Sequence, residues 1–88
     1  MDGPSALNFI GHLLYKRRIS RGASQTQISI IAGITQSHLS DIEKDKKVPS
    51  LQALEQICKA LGVSMGDVIA EAEFLATQSS FSSGKIDR

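Results

Sequence analysis

Four interruptions constrain this chain more than any other feature. Gly22, Gly33, Pro49 and Gly62 each stop an apolar stretch, and each is followed within two residues by a serine or threonine: Ser24, Thr35, Ser50 and Ser64. Glycine accommodates the left-handed turn after a helix, proline bars its continuation, and a serine or threonine oxygen accepts the free amides at the start of the next one. Between these stops apolar residues recur at intervals of three and four. The stripes are Leu7, Ile10 and Leu14 with Leu13 beside them; Ile28, Ile31 and Ala32; Leu39 and Ile42; Leu51, Leu54, Ile57, Cys58 and Leu61; and Val68, Ile69, Ala72 and Leu75. No sustained apolar–polar alternation suggests a strand. The expectation is an all-α chain of five short helices. The first runs from about Ser5 to Ser20, opened by Pro4 and Ser5, and the last ends near Ala76.

Eighty-eight residues make one domain. Ser24-Gln25-Thr26-Gln27 has the form of a capping box, and the helix it opens is only about eight residues long, too short to be stable without packing. The expected folded unit is 5–76. The segment 77–88, TQSSFSSGKIDR, is serine-rich and aperiodic and is expected to be disordered, with Phe81 and Ile86 available to fold on a protein partner. Cys58 is the sole cysteine, so no disulfide forms within the chain. That usage, the lack of a leader pattern and the absence of a membrane-length apolar run point to a cytoplasmic protein without membrane contact. His12 and His38 sit on different helices, and Cys58 lies in an apolar stripe. Nothing here has metal-ligand spacing, a phosphate-cradling glycine loop or a nucleophile–base pair. Neither enzyme activity nor a cofactor is expected.

Charge is unevenly spread. Residues 1–47 hold seven Lys/Arg against four Asp/Glu, whereas residues 48–88 hold three against five. The first half tolerates a polyanion better than the second, though the bias is mild. Within that half lies GITQSHLSDIE, residues 33–43. On a helical wheel Leu39 and Ile42 share the inward face, with Glu43 beside them. Ser37, Asp41 and Lys44 fall opposite, and Ser40 and Gln36 lie nearer the edge. A surface of uncharged hydrogen-bonding side chains suits contact with base edges. Gln25–Ala32, the turn Gly33-Ile34-Thr35, and Gln36–Lys44 have helix-turn-helix spacing.

The stretches KRRISRGASQTQIS, AGITQSHLSDIEKDKKVPSL and LEQICKALGVSMGDVI together resemble the Cro and phage-repressor type of helix-turn-helix domain, often called the XRE family. The resemblance spans Ile10 to about Ile69. It implies a compact five-helix, lambda-repressor-like fold with the motif at helices 2 and 3, the latter lying in the DNA major groove. Carried across by position, Gln36, Ser37, Ser40 and Asp41 would face bases. Ser24, Gln25, Thr35, Lys44, Lys46 and Lys47 would hold phosphates, and Arg18 would pair with Glu43 inside the fold. Asp41 could instead bond Lys44, and His38 could touch phosphate or a neighbouring helix.

Some positions depart from the family pattern. Ser29 stands where alanine is usual and needs a partner for its hydroxyl; Ile30 is hard to bury and could be plain surface or a protein contact. One helix-turn-helix reads few base pairs, so the resemblance also implies a homodimer on a palindromic operator in double-stranded DNA. Met65, Ile69, Phe74 and Leu75 are its candidate surface, although Phe74 and Leu75 could pack back on helix 1. The expected function is sequence-specific transcriptional regulation, as a repressor or operon controller. The alternative is an antitoxin or adaptor of the same fold that sequesters a protein.

Overall fold

Gly22, Gly33 and Gly62 adopt φ of 74°, 76° and 73°, the left-handed conformation in which a residue without Cβ folds the chain back over the last helical carbonyls. The computed structural model describes the backbone of residues 5–85 and the side chains of residues 5–79. Pro4 and Ile86, and the side chain of Phe81, lie outside the described residues. The order is α1 (Leu7–Arg21), α2 (Gln25–Ala32), α3 (Gln36–Glu43), α4 (Leu51–Leu61) and α5 (Met65–Lys85), with no strand among the described residues. Ser24, Thr35, Ser50 and Ser64 each accept an amide of the following first turn, from Gln27, His38, Ala53 and Asp67. At Ser24 the bond is reciprocal, because Gln27 Oε1 accepts the Ser24 N–H at 2.8 Å. Ser24→Ala removes the half of this box that the Ser24 hydroxyl accepts, leaving the backbone N–H to Gln27 Oε1, and is expected to lower the melting temperature by about 5 °C, read by circular dichroism.

Helix α1 lies chiefly on α5 and α3, while α2 lies on α4 and α3. Leu14, Ile28, Leu39, Ile42, Ile57, Cys58 and Val68 are almost wholly buried between them. Burial also pushes the Cys58 thiol pKa up, against a smaller lowering by Arg17, which suits a packed rather than a reactive thiol. Arg17 itself ties α1 to α5 through Glu71 at 2.8 Å.

Three expected core positions are corrected. Ile31 is 67% exposed, Leu51 is 69% exposed, and Leu7, the first residue of α1, is 54% exposed. Helix α2 turns Ile28, Ser29 and Ala32 inward, which swings Ile31 out on the far side. Ser29 tolerates this because its hydroxyl donates to the Thr26 carbonyl at 3.0 Å. Leu51 is the first residue of α4 and projects beyond the core beside Val48 and Pro49. Helix α5 continues past Ala76 to Lys85, since no proline or glycine interrupts 77–83 and an established helix propagates easily.

The tightest approach in the fold is at Gly11 of α1. A Cβ placed there would lie 2.0 Å from the Ile42 carbonyl oxygen and 2.6 Å from Asp45 Oδ1. The end of α3 therefore rests directly on the α1 backbone. Asp45 completes the turn at φ 61°, a conformation aspartate tolerates better than most side chains.

Candidate nucleic-acid interface

Gln25 and Gln36 are the first residues of α2 and α3. The glycine turn between these helices brings their N-termini together, and the two side chains meet. Gln36 Nε2 donates to Gln25 Oε1 at 3.4 Å, and the Thr26 hydroxyl donates to Gln36 Oε1 at 3.2 Å. Gln25 Nε2 donates in turn to Glu43 Oε1 at 3.0 Å. Glu43 is held by Arg18 through two parallel bonds, Nε to Oε2 at 2.7 Å and Nη2 to Oε1 at 2.9 Å. The remaining guanidinium nitrogen, Nη1, donates to the Ala23 carbonyl at 2.9 Å. Arg18 and Glu43 are both 8% exposed, and no buried side-chain polar atom among the described residues lacks a partner.

The hydrogen bonds it donates to Glu43 hold the Arg18 guanidinium pKa above its ordinary value, outweighing the opposite effect of burial. The ring of Tyr15 lies 5.6 Å from the guanidinium carbon and stacks against His12 at 6.2 Å. His12, Tyr15, Gln25, Glu43 and Lys44 line one shallow concavity beside the start of α2.

The outer surface is assembled from short pieces. Ser37 and Gln36 are exposed at the start of α3, while Ser40 and Asp41 are half-buried further along. Among the described residues the ion pairs are Arg17–Glu71 and Arg18–Glu43, so Asp41 and Lys44 are not joined. The Asp41 carbonyl accepts the amides of Lys46 at 2.8 Å and Lys47 at 3.3 Å, which folds the loop back beside α3. Lys44, Lys46 and Lys47 are all exposed. Thr35 is exposed with its hydroxyl engaged by the His38 amide, and His38 is half-buried. Ser24 is exposed, its oxygen engaged by the capping box. The structure thus gathers Gln25, Thr26, Gln36, Arg18 and Glu43 around one junction, leaves Ser24 in its cap beside it, and sets the three lysines at the end of α3 and in the loop that follows.

The candidate dimer residues separate. Met65, Ile69 and Leu75 are half-buried against the core, and Phe74 is 59% exposed. Ile69 also lines an apolar groove with Leu7, Val48, Pro49 and Leu51.

Sequence reasoning passes over Thr26, whose hydroxyl steadies Gln36, and over the Gln25–Gln36 contact itself. The available signal was that both glutamines occupy the first position of adjoining helices. Gly11 was also passed over, although a glycine inside a helix usually has a packing reason.

Residues 14–68 match the family model described as helix-turn-helix. The chain is 34% identical over 62 residues to the immunity repressor protein of Bacillus phage phi105, covering 70% of this chain and 43% of that protein. It therefore spans less than half of this relative's length. Among solved structures it is similar to the N-terminal DNA binding domain of SinR from Bacillus subtilis, with a TM-score of 0.66 and 32% identity over 70% of this chain and 91% of that one. The clp gene regulator ClgR from Corynebacterium glutamicum superposes with a TM-score of 0.78 at 26% identity, covering 98% of this chain and 88% of that chain.

Proposed function

This chain belongs to the helix-turn-helix family, and we propose that it is a sequence-specific DNA-binding transcriptional regulator, a repressor or operon controller, whose helix α3 reads the major groove. The observation that carries this reading is the state of Gln36. A glutamine amide has two N–H donors and two oxygen lone pairs. In Gln36 one donor goes to Gln25 and one lone pair goes to Thr26, leaving one of each. That remainder is the complement of adenine N7 and N6. Ser37, Ser40 and Asp41 extend the same face. Ser24, Gln25, Thr35, Lys44, Lys46 and Lys47 supply phosphate contacts from two helix N-termini, the end of α3 and the following loop.

The repressor and regulators to which the chain is similar support the same role. Unit 5–76 carries the contacts, and the protein acts in the cytoplasm without a cofactor or enzymatic step; among the described residues no helix is long and apolar enough to cross a membrane. Binding to a palindromic operator follows from a homodimer using Met65, Ile69, Phe74 and Leu75. The exposed groove formed by Ile69 with Leu7, Val48 and Leu51 supports that surface. A second reading, sequestration of a protein partner, rests on the adjacent Ile30 and Ile31, 72% and 67% exposed.

Selection from a randomised duplex pool tests the main reading. A palindromic motif is expected, with Gln36→Ala abolishing preference at one position in each half-site. Lys46→Ala and Lys47→Ala are expected to weaken all duplexes alike, and each to reduce the slope of log affinity against log salt by about 0.9. Failure to enrich any sequence would remove the reading.

A further inference from the structure

We infer that Glu43, through Gln25, is a positioning residue for base preference: its carboxylate fixes which way the Gln36 amide faces. This rests on the reading that Gln36 contacts a base. A carboxylate accepts hydrogen bonds and donates none. The end of Gln25 that faces Glu43 at 3.0 Å must therefore be its NH2, which directs Gln25 Oε1 away, toward α3. Gln36 then meets an acceptor, and turns its own NH2 to it at 3.4 Å. Its oxygen is left beside Thr26, whose hydroxyl both donates and accepts and so follows whichever sense it is offered. Reversing either amide would set two acceptors or two NH2 groups face to face. The one member of the chain with a single possible sense is Glu43, and Arg18 holds it in place with two short bonds.

A locked amide and a freely rotating one differ in what they recognise. Adenine presents an acceptor at N7 beside a donor at N6, whereas guanine presents acceptors at both N7 and O6. A Gln36 that keeps its donor and acceptor in one order selects adenine. One free to turn can also swing its oxygen aside and share its NH2 between guanine N7 and O6, which narrows the distinction. Glu43 thereby acts on specificity from a buried site, two side chains away from the DNA surface.

The measurement is the ratio of dissociation constants for two duplexes that differ only in A·T versus G·C, at the position whose preference Gln36→Ala abolishes. The protein is the full chain at a temperature where circular dichroism shows each variant folded. The expected ratio for the parent is about tenfold or more. Glu43→Gln, whose carboxamide both donates and accepts, is expected to bring the two affinities within about threefold of each other. Gln25→Met cuts the same chain while leaving the Arg18–Glu43 pair intact, and is expected to do likewise with an unchanged melting temperature. It decides the matter if Glu43→Gln fails to fold.

A parental ratio in Gln25→Met, with binding weakened equally for both duplexes, would overturn the inference while leaving Gln36 as a base reader. If Gln36→Ala changes preference at no position, the base-reading role itself fails, and the inference fails with it.

Discussion

Replacing Arg18 with alanine is expected to lower the unfolding free energy by about 3–5 kcal/mol, measured by urea denaturation. The substitution removes both bonds to Glu43 and the bond to the Ala23 carbonyl, while the carboxylate stays enclosed with only Gln25 as a partner. The loss is mainly the cost of stranding Glu43, because ion pairs of this kind scarcely outweigh their own desolvation. The double variant Arg18→Met/Glu43→Leu, which removes both charges, is therefore expected to recover most of the stability. Binding of Arg18→Ala to duplexes regardless of sequence should fall in step with its folded fraction, since Arg18 does not reach the outer surface. An unchanged denaturation midpoint would show that the pair carries no such cost.

Gly11→Ala is expected to cost about 2–3 kcal/mol net, even though alanine gains about 1 kcal/mol in helix propensity. The obstacle at 2.0 Å is a backbone carbonyl, that of Ile42, which has no rotamer by which to withdraw. Relief requires α1 and α3 to separate, which would open the contacts of Leu14, Leu39 and Ile42 together. Gly66→Ala provides the contrast. Its Cβ would meet only Ser64 Oγ at 3.5 Å, an ordinary contact, so little loss is expected. Equal melting temperatures for Gly11→Ala and the parent would show that α1 and α3 move apart freely.

The boundaries of α2, α3 and α4 were legible in the sequence because caps and glycine stops act over three or four residues. Ser24, Thr35, Ser50, Gly22, Gly33 and Gly62 do locally what their chemistry suggests. The inward face of α2 was less legible. Ile28 and Ala32 fix the centre of that face, Ser29 and Ile31 lie on its two flanks, and the neighbours α3 and α4 decide between the flanks; they take Ser29 and expose Ile31. Leu51 lies at a helix end, where spacing says little about direction. The junction of Gln25, Gln36 and Glu43 could not be read from any one helix, because it exists only where two helix starts and the end of α3 converge. The approach at Gly11 depends likewise on which helix lies opposite.

Because α1 rests on α5, the fold is closed by segments far apart in the chain; Arg17 and Glu71 are 54 residues apart. During synthesis at about 5–20 residues per second, α1 emerges several seconds before the helix that covers it. Helices form within about a microsecond. The face of α1 that α5 covers is thus left exposed to solvent on the order of seconds during synthesis, long after the helix itself can form.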